Sequence, residues 1–402
     1  MWNTVKLKEI VNLDIGKTPA RDNPKYWDKN KKSSNIWVSI RDMSAISGLY
    51  IGDSREYISN EGAKLFKEVP KNTLIMSFKL SIGKLAITKV NLRTNEAIAA
   101  FEIKDETILC KEYLYYYLSS MNWDKIVGQD IKVKGKTLNK AKLKEILILL
   151  PPLTEQQRIV AELDMAFFEI DKLIKFEEIK IKKNETLIQN YVNNIFKTNK
   201  NPLKLSAYTE INPAKKEVNN LDDSTEVSFM PMKDLGINNK LAIPNQKRKL
   251  KDVRGNYTYF SEGDILLAKI TPCFENGKIG IASNLLNGIG FGSSEYIVFR
   301  PNKKLKNVWL YYFLNRKTFR IDGAQNMSGA VGHKRVNKDF IENTLIPIPP
   351  IEEQEKILST LESLFNYSKT INQITIKKIK EINFLKKSIL NKLLNHKLVD
   401  AA

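Results

Sequence analysis

The sequence predicts an α+β protein built from one unit written twice, an α/β lobe followed by a long helix, with the two helices packing on each other as a coiled coil. Three observations lead there. A segment reading LLPPLTEQQRIVAELD around Pro151 returns as PIPPIEEQEKILSTLE around Pro349, so that Pro151, Pro152, Glu155, Gln156, Ile159 and Leu163 each recur 198 positions later. The segments before each proline pair share drifting but recognisable patterns, as two copies of one domain do after loop insertions. Behind each pair run about forty residues whose apolar side chains recur at three- and four-residue spacing, the period of an amphipathic helix.

The first lobe, residues 1–153, is rich in short runs of β-branched and aromatic residues bounded by Gly, Asn, Asp and Pro. Such runs read as strands, here Asn35–Ile40, Thr73–Phe78 and Lys84–Val90, with a helix at Lys111–Ser120. Residues 154–198 form the first long helix, opened by a capping box of Thr154 and Gln157 directly after the prolines. The second lobe, residues 199–351, repeats the scheme with strands at Asp264–Ile270, Lys278–Ala282 and Tyr296–Arg300 and a helix at Val308–Asn315. Residues 352–402 hold the second long helix, whose Glu352, Glu353 and Glu355 favour the positive end of its dipole. A seam of Ile159, Leu163, Ile170, Ile174, Ile181, Ile188 and Ile195 is expected to pack on Ile357, Leu361, Leu364, Ile371, Ile382, Leu385 and Ile389. Each helix is about 60 Å long at 1.5 Å per residue and needs a partner of equal length.

The 402 residues carry 65 Lys+Arg against 45 Asp+Glu, a net charge of +20. It is unevenly placed: each lobe carries +9, the first long helix −1 and the second +4. A basic background would have made both helices basic, so the lobes are the expected polyanion-binding surfaces. Two cysteines, Cys110 and Cys273, and two histidines, His333 and His396, are too few for a disulfide framework or a zinc site. No metal and no cofactor is expected. The amino terminus lacks the apolar core of a secretory signal and no apolar run reaches the roughly 20 residues that span a bilayer. A cytoplasmic protein with no membrane partner is the expectation.

Enzyme signatures are missing. Gly16-Lys17-Thr18 and Gly135-Lys136-Thr137 look like the end of a phosphate-binding loop, but Val11 and Asp130 stand where its first glycine is required. There is no G-x-S-x-G, H-E-x-x-H or Cys-x-x-Cys pattern, and Asn212-Pro213 is followed by Ala214 and Lys215 instead of a second proline and an aromatic residue. The chain reads as a binding protein with no catalytic residues.

Taken together, these pieces resemble the specificity subunits of type I restriction-modification systems. The resemblance rests on Gly16-Lys17-Thr18-Pro19, Asn23-Pro24-Lys25-Tyr26-Trp27, the segment Trp37 to Asp42, Gly83-Lys84-Leu85-Ala86, and the helix start Pro-Pro-(Leu/Ile)-x-Glu-Gln used twice. It implies that each lobe is a target recognition domain reading one half of a bipartite site on double-stranded DNA. It further implies that the two helices pair as an antiparallel coiled coil, set the half-site spacing and dock two methyltransferase subunits, and that restriction/translocase subunits join through the complex. Catalysis would belong to those partners. The second lobe departs from the pattern at Tyr208 to Lys216, which lacks the Gly-Lys-Thr-Pro opening, so the two half-sites are expected to differ. The other reading is a non-catalytic scaffold whose lobes bind protein or RNA and whose helices dimerise.

Basic residues at predicted strand ends and in Gly-containing loops are the candidate DNA contacts. In the first lobe these are Lys17, Arg21, Arg41, Lys79, Lys84, Lys134 and Lys136. In the second they are Lys233, Lys269, Lys278, His333, Lys334 and Arg335. Tyr26 and Trp27 fit either a DNA contact or a small core anchor.

Overall fold

The computed structural model describes residues 2–46, 48–127, 131–132, 135–136, 138–198, 202–330 and 332–394. Two compact units emerge, one from residues 1–176 with 378–402 and one from residues 177–377. Each unit holds one lobe, the half of the first long helix next to it and the matching half of the second.

Both lobes are built on the same five-stranded sheet. In the first its order is Val11–Ile15, Ile98–Ile103, Leu74–Ser77, Leu85–Thr88 and Tyr50–Ile51, with only the last pair parallel. In the second the order is Thr209–Ile211, Tyr296–Pro301, Ile265–Ala268, Ile279–Ala282 and Leu241–Ala242, again with only the last pair parallel. A smaller sheet sits beside each: Glu56–Tyr57, Ile36–Val38 and Arg93–Thr94 in the first lobe, and Gln246–Lys249, Glu226–Met230, Ile289–Gly292 and Thr258–Ser261 in the second. The duplication read in the sequence is thus a duplication of topology. Expected strands are found with most ends trimmed, Tyr296–Arg300 instead running on to Pro301, and one is cut short for a reason: Asn35–Ile40 is strand only over Ile36–Val38, because Ser39 and Asp42 form a capping box that starts a helix at Ile40.

A two-stranded pairing closes each lobe just before its prolines, Asn3–Lys6 with Leu147–Leu150 and Leu203–Lys204 with Leu345–Ile346. The chain then turns at the prolines into the long helices Leu153–Thr198 and Ile351–Leu393. The capping box expected from Thr154 and Gln157 is not what holds the first start. The helix begins one residue earlier, and the anchor is Gln156, which is fully buried. Its Oε1 accepts from the Cys110 amide at 2.8 Å, while its Nε2 donates to the carbonyls of Ile108 and Pro151, both at 2.8 Å. Gln354 repeats this with the Lys306 amide at 3.0 Å and the carbonyls of Lys304 at 2.9 Å and Pro349 at 2.8 Å. The conserved spacing of prolines and glutamine within the chain therefore has a mechanical meaning: one side chain staples the helix start to the loop that leads into a lobe helix.

That lobe helix is Lys111–Ser120 in the first unit and Asn307–Leu314 in the second. Tyr113 donates its hydroxyl to the Leu149 carbonyl at 2.8 Å, and Trp309 donates its indole N–H to the Pro347 carbonyl at 2.9 Å. Tyr116 donates to Asp164, and Tyr312 to Glu362, each eight residues, about two turns, past the buried glutamine of its long helix. Burial, together with those carboxylates, pushes both phenols well above their ordinary range, so each remains a hydrogen donor.

Within each unit the two long helices run antiparallel. In the first, Ile159 and Leu163 share a core with Leu390 and Leu394, and Lys386 bonds Asp171 at 2.6 Å and lies 4.6 Å from the Phe167 ring. In the second, Val192 and Phe196 share a core with Leu358 and Leu361. The seam of the second helix follows a strict seven-residue repeat of half-buried or buried positions through Leu358, Phe365, Asn372, Ile379, Lys386 and Leu393 and through Leu361, Ser368, Thr375, Ile382 and Ile389. Two residues expected in it are outside: Ile371 is 49% and Leu385 51% exposed. Each stands one position, and so about 100° of rotation, before a true seam residue. The apolar count at those positions misled because the seam is polar at its middle. There the Asn184 amide nitrogen donates to Ser368 Oγ and Asn372 Oδ1, both at 2.9 Å, and to the Ser368 carbonyl at 3.2 Å. Replacing Asn184 by alanine is expected to cost about 1–2 kcal/mol in denaturant unfolding, since the partners lose a shared donor.

Candidate nucleic-acid interface

Residues scattered through the second lobe's sequence meet at one end of the central strand of its five-stranded sheet. Lys269 follows the strand Ile265–Ala268, and its amide donates to the Glu295 carbonyl at 2.9 Å. The strand pair Met327–Ser328 and Arg335–Val336 lies alongside: Ile270 bridges Arg335, the Val336 amide donates to the Lys269 carbonyl at 3.0 Å, and the Thr271 amide to the Lys334 carbonyl at 2.9 Å. The expected contacts Lys269, His333, Lys334 and Arg335 are thereby brought together. Arg335 is gripped at both ends by Glu295, at 2.6 and 2.9 Å, and Lys269 Nζ donates to the Ser294 carbonyl at 2.9 Å. Hydrogen bonding to Arg335 holds the Glu295 carboxyl below its usual range. The depressed carboxyl keeps this clamp complete at neutral pH and releases it only on acidification below the ordinary carboxylate range. His333 and Lys334 are exposed.

A second group lies at the other end of the same strand connection. Lys278 precedes Ile279–Ala282, and its Nζ donates to the Met232 carbonyl at 2.7 Å next to exposed Lys233. Ala268 N–H donates to the Lys278 carbonyl at 3.0 Å, so both groups frame one loop.

The first lobe has the same frame. Ser77 N–H donates to the Lys84 carbonyl, Phe78 N–H to the Ala97 carbonyl, and Leu138 N–H to the Phe78 carbonyl. By these bonds Phe78, Ala97 and Leu138 stand where Lys269, Glu295 and Val336 stand in the second lobe. Lys79 is half-buried and Lys84 exposed in the loop. Lys134 lies outside the described residues, as does the side chain of Lys136, whose backbone belongs to the short strand Gly135–Lys136.

The remaining candidates are placed apart from that loop. Lys17 is exposed on a segment tied to the smaller sheet: its amide donates to the Thr94 carbonyl at 2.9 Å and its carbonyl accepts from the Trp37 indole at 3.0 Å. Gly16 permits this approach, since a Cβ there would lie 2.0 Å from the Thr94 carbonyl oxygen. Arg41 is exposed on the helix Ile40–Ala45. Arg21 is engaged within the lobe: its guanidinium is 4.1 Å from the Trp27 ring and 4.8 Å from the Trp37 ring, and it pairs with Glu56. Trp27 meets Trp37 edge to face at 5.1 Å, which makes it a core anchor. Side chains of Lys17, Arg41, Lys84, Lys233 and Lys334 have no hydrogen bond or ion pair among the described residues and are free to meet an anion. Among the described residues no group of His, Cys, Asp and Glu is arranged to hold a metal, and no helix is long and apolar enough to cross a membrane.

Sequence reasoning missed Glu295, which lies 40 residues from the arginine it holds, and Gln156 and Gln354, whose burial is signalled only by their recurrence beside the prolines.

A duplicated α+β lobe, each copy followed by a long helix and carrying basic side chains around the same loop, defines a class of two-lobed protein with long helices. The chain belongs to the family of the type I restriction modification DNA specificity domain, whose family model matches it twice, over residues 1–185 and 165–382. It is similar to the EcoAI specificity subunit of Escherichia coli, 41% identical over 171 residues that make up 42% of this chain and 28% of that one. It is similar over nearly its whole length to the EcoBI specificity subunit of Escherichia coli, 23% identical over 97% of this chain and 85% of that one. The chain spans little more than a quarter of the length of the EcoAI and EcoEI subunits it matches, 28% and 27%. In fold it is similar to the HsdS subunit of Thermoanaerobacter tengcongensis, with a TM-score of 0.53 at 18% identity over 99% of this chain and 97% of that one. A chain from a structure on assembly and conformational transition of the type I R-M system gives 0.69 at 17% identity, covering 98% of this chain and 97% of that one.

Proposed function

We propose that the chain is the sequence-specific DNA-recognition subunit of a type I restriction-modification complex, with residues 1–153 and 199–351 as its readers and residues 154–198 and 352–402 as its spacer. The observation that carries this reading is the loop framed by basic residues in each +9 lobe, with Lys79 and Lys84 in the first and Lys269 and Lys278, with Arg335 alongside, in the second. Lys17, Arg41, Lys79 and Lys84 in the first lobe, and Lys233, Lys269, Lys278, His333, Lys334 and Arg335 in the second, would contact phosphates and base edges. The substitution of Lys269 and Glu295 for Phe78 and Ala97 at matching positions supports two different half-sites. Two contacts on one stiff spacer act at high effective concentration and admit one half-site separation.

Exposed apolar side chains on the long helices, among them Met165, Phe168 and Phe176 on the first and Tyr367, Ile374 and Phe384 on the second, support docking of methyltransferase subunits there. Restriction/translocase subunits would join through that complex. Adenine methylation and cleavage would then be the partners' chemistry, and the chain itself no enzyme.

Selection of random duplexes by the purified chain tests the reading, with a two-part motif around a fixed gap as the expected result. A scaffold for protein or RNA recovers no duplex preference. Affinity should fall steeply with salt, and Lys334→Ala should reduce the slope of log affinity against log salt by about 1 without changing the selected motif.

A further inference from the structure

Leu80 lies at the tip of the loop between Leu74–Ser77 and Leu85–Thr88, 64% exposed and with φ at +62°. An L residue with a branched side chain disfavours this left-handed backbone by roughly 1–2 kcal/mol. Among the described residues the other non-glycines at positive φ are Lys31 and five asparagines, which tolerate it. Leu80 is the one apolar member of the group.

The loop around it is firmly built. Ser77 is fully buried; its amide donates to the Lys84 carbonyl at 2.9 Å, its Oγ accepts from the Lys84 amide at 3.1 Å and donates to the Ser81 carbonyl, and its own carbonyl accepts from the Gly83 amide at 2.9 Å. Gly83, at φ +83°, presses against Trp123, where a Cβ would come within 2.3 Å of the indole. Ile82 turns inward onto the lobe's core. Leu80 instead faces solvent between half-buried Lys79 and exposed Lys84. Strain held by a well-bonded loop, on an exposed apolar side chain flanked by cations, is the pattern of a preorganised ligand contact.

We infer that Leu80 is an apolar base contact of the first lobe, meeting the methyl group of a thymine in its half-site while Lys79 and Lys84 lie on the flanking phosphates. The inference rests on the proposed reading of duplex DNA. Thymine's C5-methyl is the apolar group a duplex presents in its major groove. The second lobe cannot make the same contact, because its loop runs for nine residues, 269–277, against six, 78–83, and starts on Lys269 in place of Phe78.

The test uses the full chain and the two-part duplex it selects. Leu80→Asn keeps the left-handed backbone and removes the apolar contact; Leu80→Met keeps the contact. Leu80→Asn should bind the selected duplex about tenfold more weakly, relax selection in one half-site only, and keep or raise the thermal midpoint. Leu80→Met should bind within a fewfold of the parent. Deoxyuridine in place of one thymine of that half-site should weaken the parent protein and leave Leu80→Asn unaffected. Unchanged binding by Leu80→Asn, indifference to deoxyuridine at every thymine, or a loss of binding that follows a fallen midpoint would each overturn the contact. Failure of the parent chain to select any duplex removes the underlying reading, an outcome distinct from these.

Discussion

Replacing Trp309 by alanine should lower the stability of the second unit by about 4 kcal/mol. The indole is fully buried, meets Phe196 of the first long helix edge to face at 4.9 Å, and donates to the Pro347 carbonyl at 2.9 Å. A truncation there opens a cavity and leaves that carbonyl unpaired at once, so two costs add. Urea unfolding of the full chain should show an earlier midpoint with little change of slope. Tyr113 holds the matching place in the first unit, and its hydroxyl bonds the Leu149 carbonyl. Tyr113→Phe deletes only that bond and should cost about 1 kcal/mol. A loss below 1 kcal/mol for Trp309→Ala would contradict the view that lobe and helix start are packed as one body.

Gln354→Leu should cost roughly 3 kcal/mol and lower the thermal midpoint by about 6–12 °C. Leucine fills similar volume, so the effect isolates polar groups: the Lys306 amide and the carbonyls of Lys304 and Pro349 lose their partner in a buried place. Gln156→Leu should behave alike through Cys110, Ile108 and Pro151. Gln157, one residue on and exposed, is the control, and its change to alanine should stay within about 0.5 kcal/mol. Equal effects at Gln156 and Gln157 would return the helix start to an ordinary capping box.

The duplication was legible in the sequence because it is carried by short fixed spacings: prolines, glutamine and helix apolar residues keep their interval of 198. Sheet order was not legible. It depends on which short strands pair across the lobe, and strands of three or four residues such as Ile36–Val38 carry little register information. The seam was half legible. Its apolar ends stand out, whereas Asn184, Ser368 and Asn372 at its middle look like surface residues until their hydrogen bonds are seen. Charge points to the lobes, where basic residues gather, but does not tell which cations are already used. Arg21 lies over the Trp27 and Trp37 rings, and Arg335 is clamped by Glu295, contacts that only long-range pairing creates. Leu80 carries no sequence signal, since its interest lies in a backbone angle.

In the proposed arrangement two differing readers share one spacer. Its most direct measurement is co-expression of the chain with a methyltransferase partner subunit, followed by genome-wide mapping of methylated adenines, for the parent chain and for a variant with Lys269, Lys334 and Arg335 replaced by alanine. The expected result is a two-part motif around a fixed gap, with the variant relaxed in one part and the gap and other part unchanged. A continuous motif, or loss of both parts together, would contradict it.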